Sequence, residues 1–365
     1  MSNSTPSSEI LRVLMMPDYR IINPYQTLLA KALHSQGVEV LFAFGYRRVL
    51  PIFRAITTHP DKIDILHLHW LVPYIKGKNW LNKSIYAIKF LIDILLTKWK
   101  GVKVVWTVHN YTSHNSQFPV LEQWIQRILL RLADRVIFHN ASALKDFSQT
   151  YHVDKLKTEV IPHGHYREIY NSPIDKLVAR KALNLPLVGR IYLNLGMLRP
   201  YKGIERLLQV WQENRKLLGE STLLIAGQAL DQNYGQQLTK QASETEGVVL
   251  HRDFIADDRI HLFFSAADVV VLPFERILTS GSLILAMSYG KPIIAPRTGG
   301  IVETLGAADW LLYEPEEKQG LLHALKESTQ IDLSALSELV KQECDRLDWE
   351  KIGQLTHQIY QTSLP

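Results

Sequence analysis

The chain has 365 residues, 46% hydrophobic and 21% charged, ordinary for a globular protein and too long for one small core, so two domains are expected. One cysteine, Cys344, excludes an intrachain disulfide, and the polar start reads as a short disordered lead-in without the apolar core of a secretion signal. Net charge is +5 but uneven, with 20 basic against 11 acidic side chains in residues 1–165 and 21 against 25 in the remainder, so the first half is expected to face an anionic surface, nucleic acid or an acidic membrane leaflet.

In chain order, short β-branched runs at 11–16, 38–45, 64–70, 102–110 and 135–140 read as buried strands. Segments with apolar residues at helical spacing lie between them. The longest, 80–101, is interrupted by Lys83, Lys89, Asp93 and Lys98, which argues against a membrane-spanning helix. Its Trp80, Ile85, Ile88, Ile92, Leu95 and Trp99 mix with lysines as in an interfacial helix, and the basic stretch 46–56 adds to that pattern. A second series of strands follows at 189–196, 222–227, 247–254, 268–274, 291–296 and 309–314. Strand–helix alternation of this kind predicts an α/β protein of two doubly wound parallel sheets. The expected boundaries are 1–166 for the first domain, 167–349 for the second, and 350–365 for a closing helix that crosses back onto the first.

Ligands of such sheets bind at the carboxyl ends of the strands. In "NLGMLRPYKGIERLLQVW" a strand ends at Gly196, a loop carries Arg199 and Lys202, and Gly203 leads into a helix. Two cations beside a helix N-terminus suit phosphate. In "PFERILTSGSLILAMSYGKPIIA" the loop after the strand reaches Thr279, Ser280, Gly281 and Ser282 at the start of the next helix. Serine or threonine there caps the helix, and glycine lets a ligand approach the backbone. Glu275, at the strand end, suits the hydroxyls of a polyol. Glu303 follows a Gly-Gly turn one strand later and suits either the helix dipole or sugar hydroxyls.

These segments, "GMLRPYKG" and "PFERILTSGSLILAMSYGKPIIAPRTGGIVE", together with the twin-sheet plan, resemble the GT-B nucleotide-sugar glycosyltransferases. The likeness is to the large family that includes bacterial mannosyltransferases and sucrose synthases. It implies a GT-B fold and hexosyl transfer from a UDP- or GDP-linked sugar to a saccharide or lipid-linked acceptor, in exopolysaccharide or cell-envelope glycan synthesis, with no further cofactor. It places Arg199 and Lys202 on the donor diphosphate, Glu275 on the transferred sugar, and the amides of Ser280–Ser282 on phosphate. "WTVHN" at 106–110 is similar to the family strand whose terminal histidine lies near the donor, which implies a catalytic role for His109. The residue eight after Glu275 is Leu283, where the family typically carries a second glutamate.

His69 and Asp18, at other first-domain strand ends, join His109 as candidates for a base toward the acceptor. No metal is expected: His67 and His69 share a strand face but fall two ligands short of a closed zinc site, and no Asp-x-Asp occurs. No recognition motif supports nucleic acid. A sugar-nucleotide epimerase and a non-catalytic GT-B binding module fit the same fold. The expected location is cytoplasmic, on the inner face of the plasma membrane where the basic helical surface attaches.

Overall fold

A computed structural model describes residues 10–43, 49–109, 118–275 and 280–364. It divides into two compact units, Met1–Gly164 with Trp349–Pro365, and His165–Asp348.

The first unit runs β1 (Leu11–Met16), α1 (Tyr25–His34), β2 (Val38–Phe42), α2 (Pro51–Thr58), β3 (Ile65–Leu68), α3 (Trp80–Trp99), β4 (Lys103–Val108), α4 (Pro119–Leu132), β5 (Arg135–Phe138), α5 (Ala141–Thr150) and β6 (Thr158–Val160). Its strands form one parallel sheet in the order β2-β1-β3-β4-β5-β6. Val13, Ile65, Leu66, Val104, Val105 and Ile137 fill its buried strands, as expected of a sheet covered by helices on both faces.

The second unit runs α6 (Lys176–Ala182), β7 (Ile191–Leu195), α7 (Ile204–Glu213), β8 (Thr222–Ala226), α8 (Gln232–Ser243), β9 (Val248–His251), α9 (Ile260–Ala266), β10 (Val269–Val271), α10 (Gly281–Ser288), β11 (Ile293–Pro296), α11 (Gly299–Leu305), β12 (Leu312–Tyr313), α12 (Gly320–Glu327) and α13 (Leu333–Asp345). Its sheet is also parallel, in the order β12-β11-β10-β7-β8-β9. Buried Arg180 of α6 binds Asp268 at 2.8 Å, whose carboxylate also accepts from the Ile191 amide at the start of β7.

The last helix, α14 (Trp349–Ser363), belongs to the first unit. Gly353 meets α1 so closely that a Cβ there would lie 2.9 Å from that of Ala32. Trp349 covers Gly164, where a Cβ would fall 2.2 Å from the indole, so only glycine fits that turn. Tyr360 is buried and bonds Nδ1 of His67 at 2.6 Å, tying the end of the chain to the centre of the first sheet.

In each sheet the strand order reverses beside the first strand of the unit, between β1 and β3 and between β7 and β10. That crevice, outside the carboxyl ends of the strands, is where doubly wound sheets take ligands.

Candidate functional site

In the second unit the crevice is built by the loops after β7 and β10. Gly196 follows β7 with φ +132°, and a Cβ there would sit 2.7 Å from Nζ of Lys202 and 3.2 Å from Oγ of Ser282. Gly227, after β8, has φ +144° and packs on the Gly196 carbonyl, where a Cβ would come within 2.0 Å. The chain then makes a single 3₁₀ turn, Pro200–Lys202, and Gly203 turns it into α7 with φ +68°. Gly203 lies against the Pro273 carbonyl, which draws the two loops together, and the Glu275 amide donates to the Tyr201 carbonyl at 3.0 Å.

Lys202 is therefore buried. Its Nζ lies 3.3 Å from Oγ of Ser282 and, among the described residues, meets no carboxylate. Burial first, and then the nearby Arg199 guanidinium, lower its pKa to about 8. Ser280 is spent locally, since its Oγ accepts the Leu283 amide at 3.1 Å and caps α10. Gly281 and Ser282, the first two residues of the helix, follow that cap. Glu275 is exposed at the rim. Thr279 lies outside the described residues. Glu303 is exposed in the second turn of α11, which starts at Gly299, so the helix dipole reading loses its basis.

In the first unit histidines end three successive strands. His69 follows β3, His109 follows β4 and His139 follows β5. Their rings form a row, with His69 Nδ1 and His109 Nε2 3.1 Å apart, His109 Nδ1 and His139 Nε2 3.3 Å apart, and His139 Nδ1 3.1 Å from the Ile161 carbonyl. Burial first, then the neighbouring rings, hold His69 and His109 well below the usual histidine range, and burial holds His139 at about 4. All three are neutral near pH 7. Tyr25 of α1 packs against each of these rings and against His163. Trp70 stacks on His109 with centroids 4.4 Å apart.

His69, Trp70, His109, Lys83, Glu122 and Gln126 border a cavity of about 120 Å³. Lys83 and Glu122 pair there through a hydrogen bond. Asp18, at the end of β1, places both carboxylate oxygens on Arg20 at 2.9 Å, and that bond lowers its pKa, which makes it a poor base. His67, by contrast, is held at both nitrogens, by Tyr360 and by Thr107 at 2.7 Å. Among the described residues no group of three or more His, Cys, Asp or Glu is arranged to hold a metal ion.

Sequence reasoning did not single out Trp70, His139 or Gly227. The signal for His139 was present: "HLHW", "WTVHN" and "RVIFHN" each end a strand with histidine.

Comparison with known proteins gives the family. Residues 25–166 match Glycosyltransferase Family 4 and residues 189–330 match Glycosyl transferases group 1. The chain is a glycosyltransferase of the GT-B fold. This glycosyltransferase is 28% identical, over 94% of its length and 89% of the relative's, to the GDP-mannose:glycolipid 4-beta-D-mannosyltransferase of Xanthomonas campestris pv. campestris. It is 26% identical, over 53% of its length and 54% of the relative's, to the lipopolysaccharide 1,2-N-acetylglucosaminetransferase of Salmonella typhimurium. Its fold matches Anabaena HepE, solved with UDP and glucose, at TM-score 0.70 and 20% identity, covering 96% of this chain and all of that one. Sucrose-phosphate synthase of Thermosynechococcus elongatus matches at TM-score 0.72 and 18% identity, covering 96% and 98%.

Proposed function

We propose that this glycosyltransferase moves a hexosyl group from a GDP- or UDP-linked sugar to a saccharide or lipid-linked acceptor, in exopolysaccharide or cell-envelope glycan synthesis. The observation that carries this reading is Lys202, a buried ammonium with no carboxylate beside it among the described residues, at the crevice between β7 and β10. Burying an uncompensated charge is costly, and a site that does so is built for an anion that arrives later. The relatives' donors and acceptors, GDP-mannose and glycolipid in one case, support that choice of anion and acceptor.

In this reading Arg199 and Lys202 hold the diphosphate, and the amides of Gly281 and Ser282 at the start of α10 add fixed donors. Negative charge grows on the diphosphate as the glycosidic bond breaks, so these groups act most strongly in the transition state. Gly196 and Gly227 keep the approach to Lys202 open. Glu275 at the rim accepts hydrogen bonds from hydroxyls of the transferred sugar, and the histidine row of the first unit serves the acceptor.

Attachment to an anionic membrane belongs to the same proposal. Trp80, Leu81, Ile85, Ile88, Ile92, Leu95 and Trp99 are exposed on α3, with Lys89 over the Tyr86 ring and Lys100 over the Trp99 ring. Among the described residues no helix is long and apolar enough to cross a membrane. An exposed apolar helix face set among lysines suits the interfacial plane, where a lipid-linked acceptor resides.

The test is a thermal-shift and turnover panel of GDP-, UDP- and ADP-sugars on the wild type, Lys202→Ala and Glu275→Ala. One nucleotide class stabilises the wild type, and sugar release is lost in both variants. Failure of every nucleotide sugar to stabilise the protein overturns the reading.

A further inference from the structure

The histidine row of the first unit runs in one direction only. The Ile161 carbonyl can only accept, so Nδ1 of His139 carries its proton. A neutral imidazole then presents Nε2 as an acceptor, and His109 must donate to it from Nδ1. Nε2 of His109 in turn accepts from Nδ1 of His69. What remains is Nε2 of His69, a buried lone pair with no hydrogen-bond partner among the described residues. Leaving a buried polar atom unpaired costs about 1–3 kcal/mol, and such atoms call for a reason.

We propose that His69, His109 and His139 form a proton relay anchored on the Ile161 carbonyl, whose free end, Nε2 of His69, takes the proton of the acceptor hydroxyl. This rests on the glycosyl-transfer reading above. His109 has both nitrogens committed, so it receives a proton through His69 rather than from the acceptor. The cavity that His69 borders supplies the setting: about 120 Å³ of space beside Trp70, with Lys83, Glu122 and Gln126 for hydroxyls.

In the step itself, the acceptor oxygen bonds to the anomeric carbon while its proton passes to Nε2 of His69. The bond from that carbon to the phosphate oxygen breaks, and its electron pair leaves on the diphosphate. The Nδ1 proton of His69 then shifts to Nε2 of His109, and the Nδ1 proton of His109 to Nε2 of His139. The positive charge comes to rest on His139, whose Nδ1–H faces the Ile161 carbonyl; when product leaves the shifts run in reverse, the proton passes from Nε2 of His69 to water, and the starting tautomers are restored. A base on the acceptor makes the displacement direct, with inversion at the anomeric carbon. The other titratable groups facing this row are Tyr25 from α1, His67 from β3, His163, Lys83 from α3 and Glu122 from α4, the last two paired with each other.

The test uses the full chain labelled with ¹⁵N in its histidine rings, with long-range ¹H–¹⁵N spectra taken from pH 5.5 to 8 and assigned by single substitutions. The expected result is a neutral ring protonated at Nδ1 for each of His69, His109 and His139 at pH 7. A proton on Nε2 of any of the three, or an imidazolium at pH 7, overturns the relay whatever reaction the enzyme runs. Hydrolysis of GDP-mannose and UDP-glucose, with water as acceptor, is measured in parallel. His139→Gln keeps an acceptor for His109 but cannot take the proton onward, so kcat falls about 10- to 100-fold while KM for the donor stays within about twofold, and His69→Ala falls about 10²- to 10⁴-fold. An unchanged kcat in His139→Gln overturns the proposal. A wild type that turns over neither donor counts against glycosyl transfer, and the ring spectra still decide the relay. Should His139→Gln melt early, the wild-type spectra decide alone.

Discussion

A lysine ammonium buried without a counter-ion destabilises the protein that holds it, and Lys202 is in that position. Its folded pKa, about 8, lies below the 10.5 of a free lysine, so between those values the unfolded chain binds more protons than the folded one. Stability therefore rises as pH climbs from about 8 to 10.5, and in Lys202→Met that rise disappears. Chemical denaturation across this range checks the sign. At pH 7 Lys202→Met is expected to melt at or above the wild type while kcat/KM falls about 10²- to 10³-fold, a split that a merely structural lysine does not give. Binding of a nucleoside diphosphate returns the proton, so calorimetry near pH 8 in buffers of different ionisation enthalpy should record proton uptake. The grouping of Arg199, Lys202 and Ser282 was legible in the sequence because local spacing carries it: strand, glycine, cations, helix start. The histidine row was only half legible. His69 and His109 stood out as strand ends, but the chain of bonds to His139 and Ile161 joins residues 40, 30 and 22 apart in its three steps, and nothing local marks which strands are neighbours.

At the scale of elements, α3 shows the limit of reading a helix from its pattern. Two of its four interrupting charges, Lys83 and Asp93, are buried, whereas Trp80, Ile88, Leu95 and Trp99 are exposed. Periodicity predicts two faces without saying which one the fold covers, and here the partners decide. Asp93 accepts the amides of Ile52 and Phe53 at 3.0 and 2.7 Å and so caps α2 from outside it, because the residue before that helix, Leu50, has no capping side chain. Asp93→Ala is expected to cost about 1–2 kcal/mol in urea melts, the usual loss for a missing cap. Burial raises its carboxyl to about 6 against 3.8 when free, so between those values the folded state binds more protons than the unfolded chain, and stability falls as pH rises from about 4 to 6. The wild type should lose stability over that interval relative to the variant. The outer face gives a second expectation. Ile88→Glu with Ile92→Glu should reduce co-sedimentation with vesicles containing phosphatidylglycerol, at low salt, with a melting temperature within about 2 °C because both side chains are exposed. Equal sedimentation would remove α3 from the membrane proposal. Of the basic stretch 46–56, residues 46–48 lie outside the described residues.

For the whole molecule, two parallel sheets followed from strand–helix alternation, since a parallel neighbour requires a crossover and the helices supply it. The destination of the last helix was harder to derive, because it depends on a complementary surface formed by residues far away in sequence. That surface is visible in the structure at Gly164, Ala32 and His67, which receive Trp349, Gly353 and Tyr360. The first unit thus depends on the final residues of the chain, whereas the cations and helix start assigned to the nucleotide lie within His165–Asp348. Gly164→Val places two methyl groups where the Trp349 indole stands. Overpacking of this kind costs about 1–3 kcal/mol or displaces the indole. The expected result is a lower melting temperature and weakened turnover, since His163 and Tyr25 pack against the same indole, together with nucleotide affinity within about twofold of wild type by calorimetry. Loss of nucleotide binding in this variant would mean that the donor pocket is not contained in the second unit, and the assignment of Lys202 as its centre would have to be revised.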